Sequence, residues 1–539
     1  MFNHKRKIKE RLSASFGKIK DDSFTFELIE RYFKKKDKTE AFQVLSDKTC
    51  NDLDFKELFM FADRTTSKVG QQFLYHTLRT ISADENKFII QEKLIDKISK
   101  DADFRLDLQL QLDKLAKDDT YYITSLFQDK HVKEPKWFFV IRLLSFTNLL
   151  SLILLPFNPQ LIFLLFGVFI INIGIHMWNK RNLDQYLSSI PQLLRLYGVA
   201  KEFLKYDLFD EIKKDIPDSM LVLDKIRNRM SFFKLESKLE SDSDILFWAM
   251  LEFLKTLFLL EPILLFGVLK QLDTKRKEVE NVFSFVGNID TLISIASLRQ
   301  GLDQYCIPEI NCKSKILEAI AVYHPLINNC VTNSIQVNGK SILLTGSNMS
   351  GKTSFIRTIA INAITGLTIN TCFAEQFTLP RFRIYSAIRI SDDLMNDKSY
   401  YFEEVLTIKE MIDESRNGKP NLFLLDEIFK GTNTIERISA GKAVLSFLAR
   451  GNNIVFVSTH DIELAELLKD EYMLYHFSEK VDHKTVDFDY KLKEGKLKNR
   501  NAIRILQIND YPDNIINEAI ELSKELDKMM VINKVGADL

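Results

Sequence analysis

The chain has 539 residues, enough for two to four domains that each bury a core, and its 74 Lys and Arg equal its 74 Asp and Glu. That balance excludes a global positive field advertising nucleic acid, and it excludes an acidic solvating chain; any polyanion must be met by local patches. Five cysteines (Cys50, Cys306, Cys312, Cys330, Cys372) form no C-x-x-C pair, which fits a reducing compartment and argues against a disulfide framework or a structural zinc.

Residues 1–40 read as a basic arm: the first twenty hold seven Lys or Arg and one acid. No apolar run follows, so this is not a signal peptide; the arm suits phosphates, anionic headgroups or plain solvent. Residues 41–136 read as helical, with Leu at three- and four-residue spacing between 85 and 125. From Trp137 to Asn179 the only charge in 43 residues is Arg142, and this segment is predicted to be a transmembrane hairpin. Its turn is "PFNP" at 156–159, where two prolines end helical continuity. Trp137 and Trp178 stand at the outer ends, where an aromatic belt would lie. Basic residues flank both ends and none sits in the turn, so both flanks are expected on the cytoplasmic side of the inner membrane. A buried hairpin in a soluble domain is the alternative, weakened by hydrophobicity all round each helix.

Residues 180–310 continue the helical pattern. Within them 245–270 is apolar but interrupted by Glu252, Lys255, Glu261 and Pro262, and reads as buried helix; whether it also meets a membrane stays open. After about residue 335 short apolar strands ("SILLT", "NLFLLD", "NIVFVST") alternate with helical stretches, the pattern of a mostly parallel sheet with crossover helices.

Gly346-Ser347-Asn348-Met349-Ser350-Gly351-Lys352-Thr353, followed by Ser354, satisfies G-x-x-x-x-G-K-[ST] between an apolar strand and a helix. Its glycines let backbone amides close around phosphates, Lys352 would reach the β and γ phosphates of ATP, and Thr353 offers a hydroxyl to Mg²⁺. "NLFLLDEIFKGTNT" then places Asp426 at a strand end, suited to the Mg²⁺ shell, and Glu427 beside it, suited to orient or deprotonate water. "NIVFVSTHD" brings His460 to the end of a further strand, where it can contact a γ phosphate or serve the attacking water.

"TGSNMSGKTSFIRT", "LLDEIFKGTNTIER" and "VSTHD", in that order, resemble the ATPase domain of the MutS mismatch-repair family. The resemblance implies further roles. Ser399, in "DDLMNDKSYYFEEVLTIKEM", matches the serine that reaches the nucleotide of the opposite protomer. Tyr323 and His324 in "AVYHPLI" resemble the adenine-side contact. "LDFKELFMFADRTTSKVGQQFLYHTLRT" resembles the start of the family's helical core and lever, with Asp63, Arg64, Thr65 and Gly70 in matching places, and residues 501–522 resemble its helical tail. Because the core-like segment begins near residue 45, no mismatch-reading or connector domain is expected ahead of it, and direct mismatch reading is put in doubt.

The fold expected is multidomain: an all-α core and lever (41–136 and 180–310) with the inserted hairpin (137–179), an α/β P-loop ATPase domain of the ABC type (311–500) and a helical tail (501–539). The function expected is a membrane-tethered, Mg²⁺-dependent ATPase switch that clamps DNA as a homodimer with shared nucleotide sites. The alternative is a membrane-anchored ATPase scaffold or regulator without DNA. A transporter would need an L-S-G-G-Q-like signature and more spans, and a coiled-coil chromosome ATPase far longer heptads.

Overall fold

The helical chain before residue 305 and the short apolar runs after residue 335 fall largely in two separate units of structure, but residues 41–61 and 80–83, expected in the helical core, belong to the unit that holds the strands. The computed structural model describes residues 2–84, 86–239, 245–311, 315–347, 349–389, 400–481, 486–497, 502–509 and 511–535. One unit comprises 1–40, 62–79 and 84–302; the other comprises 41–61, 80–83 and 303–539.

The first unit is built of helices. The basic arm forms a helix, Phe2–Ser15, and three of its cations already have acidic partners: Arg6 with Glu10, Lys9 with Asp107 and Arg11 with Asp113. Arg276–Gln300 runs through the core against Lys68–Arg79, Lys87–Lys100 and Ile216–Leu239. By length and composition it could cross a membrane, but 83% of its apolar window is buried, which identifies it as a core helix. Its Asp290 caps the start of Lys68–Arg79, accepting from the Thr66 and Ser67 amides at 2.9 and 2.7 Å and from the Ser67 hydroxyl at 2.6 Å. Burial pushes this carboxyl up to about 6. Gly70 lies against it so closely that a Cβ would stand 2.3 Å from Asp290 Oδ2.

The predicted hairpin is formed by Phe138–Leu154 and Leu161–Phe203, joined through the Pro156–Pro159 turn. The second helix does not end near Asn179; it continues for another turn-free stretch through Pro191 into the body of the unit, since no pair of breakers like "PFNP" follows. The polarity of the hairpin is reversed relative to a soluble helix. Phe139, Phe146, Phe163 and Phe166 are 67, 60, 79 and 66% exposed, whereas Asn148, Asn172 and Asn179 are fully buried. Only 17% of the apolar window of Leu161–Arg181 is buried. The Trp137 and Trp178 rings meet edge to face at 5.2 Å, so the two indoles mark one level of the hairpin.

The run 245–270 departs in part from the expected buried helix. It forms Ile245–Phe258 and Leu260–Asp273, broken at Leu259, whose φ of +49° lies in the left-handed region. Pro262 explains the break: in a continuous helix its ring would collide with the Phe258 carbonyl, whereas a restart at Leu260 puts it in a first turn, where no amide is needed. The break orphans the Leu257 carbonyl, which would otherwise accept from residue 261. The Asn148 and Asn172 side-chain amides both donate to it, at 2.6 and 2.8 Å. Met250 and Phe253 of the first segment are half exposed.

The second unit carries a six-stranded sheet in the spatial order Lys493–Glu494, Tyr472–His476, Ser341–Thr345, Ile454–Ser458, Asn421–Asp426, Arg383–Ala387. All neighbours are parallel except the Lys493–Glu494 edge. Ser341–Thr345 and Ile454–Ser458 are buried at every residue, as continuous apolar runs in a covered parallel sheet should be. A four-stranded, largely antiparallel sheet includes Ile316–Val322 and Asn333–Asn338. Helices Ala502–Ile508 and Asp513–Val535 follow.

Replacing Gly70 with Ala should force Asp290 from its three donors and cost about 2–4 kcal/mol. A denaturant midpoint unchanged from the parent chain would refute that packing argument.

Candidate functional site

Three parallel strands end side by side, and each delivers part of the site, as open α/β sheets do at their carboxyl ends. Ser341–Thr345 runs into the glycine loop, Asn421–Asp426 into Glu427, and Ile454–Ser458 into His460. Asp426 pairs in register with Ser458, so the second and third arms are locked together by backbone hydrogen bonding. Glu427 reinforces the lock by donating its amide to the Ser458 carbonyl at 2.9 Å.

The loop takes backbone shapes that favour glycine where its motif requires them. Gly346 and Gly351 have φ of +152° and +107°, and a Cβ on Gly346 would meet the Phe477 carbonyl and Ser350 Oγ at 2.9 Å. The Lys352 ammonium, at the start of helix Lys352–Ile369, is buried and donates to the Gly346 and Ser347 carbonyls at 2.8 Å each. Burial lowers its proton affinity, while Glu427, Asp426 and Glu479 work against that. Ser350 donates to the Ser347 carbonyl, and Ser347 donates to Glu479 at 2.7 Å. Met349 is 83% exposed at the loop tip, and Ser354 occupies the first turn of the helix. Asn348 and Ser399 lie outside the described residues.

Thr353 donates to Asp426 Oδ2 at 2.7 Å, and Ser458 bonds the other carboxylate oxygen. His460 Nε2 lies 2.8 Å from Glu427 Oε1 and 3.4 Å from Lys352 Nζ, and Lys430 reaches Glu427 Oε2 at 2.7 Å. The hydrogen bond with His460, then Lys430, holds the Glu427 carboxyl down at about 2 against the opposing effect of burial. A depressed carboxylate stabilises the pairing above its ordinary value of 4.5 and loses it as pH falls through about 2, so Glu427 is ionised throughout the neutral range. Glu427 and Phe429 adopt φ of +50° and +60°, strain of the kind concentrated where a site dictates the backbone.

A cavity of about 480 Å³ opens onto the loop, and Tyr323, Lys352, Thr353, Glu427, Phe477 and Tyr490 are among its walls. Tyr323 donates its hydroxyl to the Gln304 carbonyl at 2.6 Å, and burial pushes that hydroxyl up to about 12. Its neighbour His324 does not line the cavity. The buried His324 ring accepts from the Leu326 amide, and burial together with Arg357 drops its proton affinity to about 4, leaving a neutral imidazole packed in its own loop.

Sequence reasoning missed Glu479, Phe477 and Tyr490, which arrive from chain beyond the last motif and carried no local signal. Lys430 was missed as well, although "DEIFKG" places it three residues after Glu427. Also missed was a brace from residues 41–61. Asp52 accepts from the Ser386 hydroxyl at 2.6 Å and the Ile388 and Arg389 amides at 3.0 and 2.9 Å, at the exit of strand Arg383–Ala387. Asp54 pairs with Arg389 and with Arg357 of the loop helix.

A family model described as MutS domain V matches residues 342–527. DNA mismatch repair protein MSH3 of Saccharomyces cerevisiae is 26% identical over 379 residues, covering 65% of this chain and 35% of that protein. DNA mismatch repair protein MutS of Fusobacterium nucleatum is 28% identical over 280 residues (47% of this chain, 31% of that one). The MutS of Listeria monocytogenes is 31% identical over 214 residues (38% and 24%). The chain therefore spans about a quarter to a third of the length of these relatives.

Asp52→Ala should leave three donors at the strand exit without their acceptor and destabilise the chain by about 2–3 kcal/mol, read by denaturant unfolding and by faster amide exchange at 386–389. Unchanged exchange there would remove the brace.

Proposed function

We propose that the chain is a membrane-tethered ATPase switch of the MutS type acting on DNA, a reading supported by the match of residues 342–527 to MutS domain V. One observation carries the nucleotide part: the buried Lys352 of a glycine loop, the Thr353 hydroxyl and the ionised Glu427 carboxylate line a single cavity, with Asp426 bonded to Thr353 and His460 to Glu427. ATP enters with its phosphates over the loop, and Lys352 exchanges its two loop carbonyls for phosphate oxygens. Tyr323, Phe477 and Tyr490 offer apolar surface for the remainder of the nucleotide.

The Thr353 hydroxyl and the Asp426 carboxylate already meet at 2.7 Å at a strand end, a donor set that suits Mg²⁺, and together they would hold it. When bound, that ion neutralises charge on the β and γ phosphates. Glu427 accepts the proton of the attacking water, and His460 orients Glu427 and faces the terminal phosphate. Ser399 of a second copy completes each site, so the working form is a homodimer.

DNA as the clamped partner is supported by the relatives, which are named as DNA mismatch repair proteins. The outward aromatic residues of the hairpin support the lipid bilayer as a second partner and the inner membrane as the location, with the ATPase unit on the cytoplasmic side.

Lys352→Ala should abolish tight ATP binding in calorimetry. Glu427→Gln should bind ATP normally and turn it over about 10²-fold more slowly; equal turnover by this variant and the parent chain removes the role given to Glu427. Affinity for duplex, branched or single-stranded DNA should fall steeply as salt rises, through counterion release. If none of the three binds in a salt-sensitive manner, the scaffold reading without DNA replaces this one.

A further inference from the structure

Segment Ile245–Phe258 contains only two charged side chains, Glu252 and Lys255, and both turn inward. Lys255 is fully buried and meets Glu252 at 2.8 Å and Glu261 at 3.2 Å. Hairpin side chains complete the enclosure: His176 and Lys180 lie 3.4 and 3.3 Å from Glu252, and Asn179 donates to Glu261. The opposite face presents Met250, Phe253 and Leu254, which are 52, 50 and 36% exposed, and the Phe253 ring packs on Phe169 of the hairpin at 5.1 Å. This apolar face is continuous with that of the hairpin.

The chain break at Leu259 fixes how deep this face lies. Asn148 and Asn172 both bond the Leu257 carbonyl, so the corner between the two segments touches both hairpin helices between the tryptophan pair and the Pro156–Pro159 turn. Asn172 precedes Trp178 by six residues, about 9 Å along the helix at 1.5 Å per residue. Glu261, just past the corner, is back at the level of Asn179. The chain therefore dips beside the hairpin and returns. In water an orphaned carbonyl at such a corner could be left to solvent; here two side-chain amides seal it from within, as hydrocarbon surroundings demand.

We infer that residues 249–262 form a re-entrant corner whose outer face is covered by lipid acyl chains, making a third membrane-embedded element beside the hairpin. This rests on the membrane reading of the hairpin. The inward ion pairs satisfy the cost of carrying Glu252, Lys255 and Glu261 to that depth, because each charge meets an opposite one and none faces outward.

The test uses the full chain in vesicles of phosphatidylcholine and phosphatidylglycerol, with photoreactive benzoylphenylalanine in place of Phe253, Met250, Phe163 or Leu467 in separate preparations. Lipid adducts are counted by mass spectrometry. Leu467 is 54% exposed in the other unit and serves as the aqueous reference. The expected result is comparable acyl-chain labelling at 163, 250 and 253, with background at 467. Labelling at 163 but at neither 250 nor 253 overturns the re-entrant corner and leaves the hairpin standing. Background labelling at 163 overturns the membrane reading itself and this inference with it. Two corner positions are probed so that a folding defect in one variant cannot decide the outcome.

Discussion

The Lys352 ammonium is buried, and a buried cation persists only where oxygen surrounds it. That condition shapes the whole second unit. The Gly346 and Ser347 carbonyls can reach the ammonium because the loop bends back through left-handed glycine conformations. The loop holds that bend because a fully buried strand feeds it on one side and a long helix leaves on the other. Glu427, Asp426 and Glu479 then offset the burial of the lysine, which ties the acids of the site to the geometry of this buried cation.

The first unit obeys the same rule at a different place. Lys255, also fully buried, is held between Glu252 and Glu261, and the chain must break at Leu259 for both acids to reach it from their separate helices. The break costs on the order of 1–2 kcal/mol for a left-handed leucine and creates an orphan carbonyl. The amides of Asn148 and Asn172 answer it. Polar groups are thus gathered inside the hairpin and aromatic ones displayed outside, the reverse of a water-facing surface.

Positioning in the site follows a gradient of rigidity. Asp426, Glu427 and His460 stand at or just past the ends of buried parallel strands, where register fixes them. Among the described residues the edge strand Arg383–Ala387 has no strand beyond it, and residues 41–61 cover it: the Gln43 side-chain amide pairs with the Ile384 backbone, and Asp52 and Asp54 clamp the strand's exit at Ile388 and Arg389. Asp54 also reaches Arg357, so the helix that follows the glycine loop and the exit of that edge strand share one carboxylate.

By itself the sequence determined the parts whose signal is local. The glycine loop, the strands that end at Asp426 and Ser458, the prolines of the hairpin turn and the helical grammar before residue 305 each follow from spacing within a few residues, because strand burial, turn geometry and helix periodicity are short-range properties. Tertiary structure alone decided the rest, where the partners are far apart in the chain. His324 sits beside Tyr323 in sequence yet packs away from the cavity, whereas Glu479 and Tyr490, more than a hundred residues from the loop, arrive at it. Pro262 announced a break, but its position at Leu259 and the two asparagines that make it tolerable were set by hydrogen-bond satisfaction across three helices. A buried polar atom must find its partner wherever the fold brings one, and that search has no period to be read along the chain.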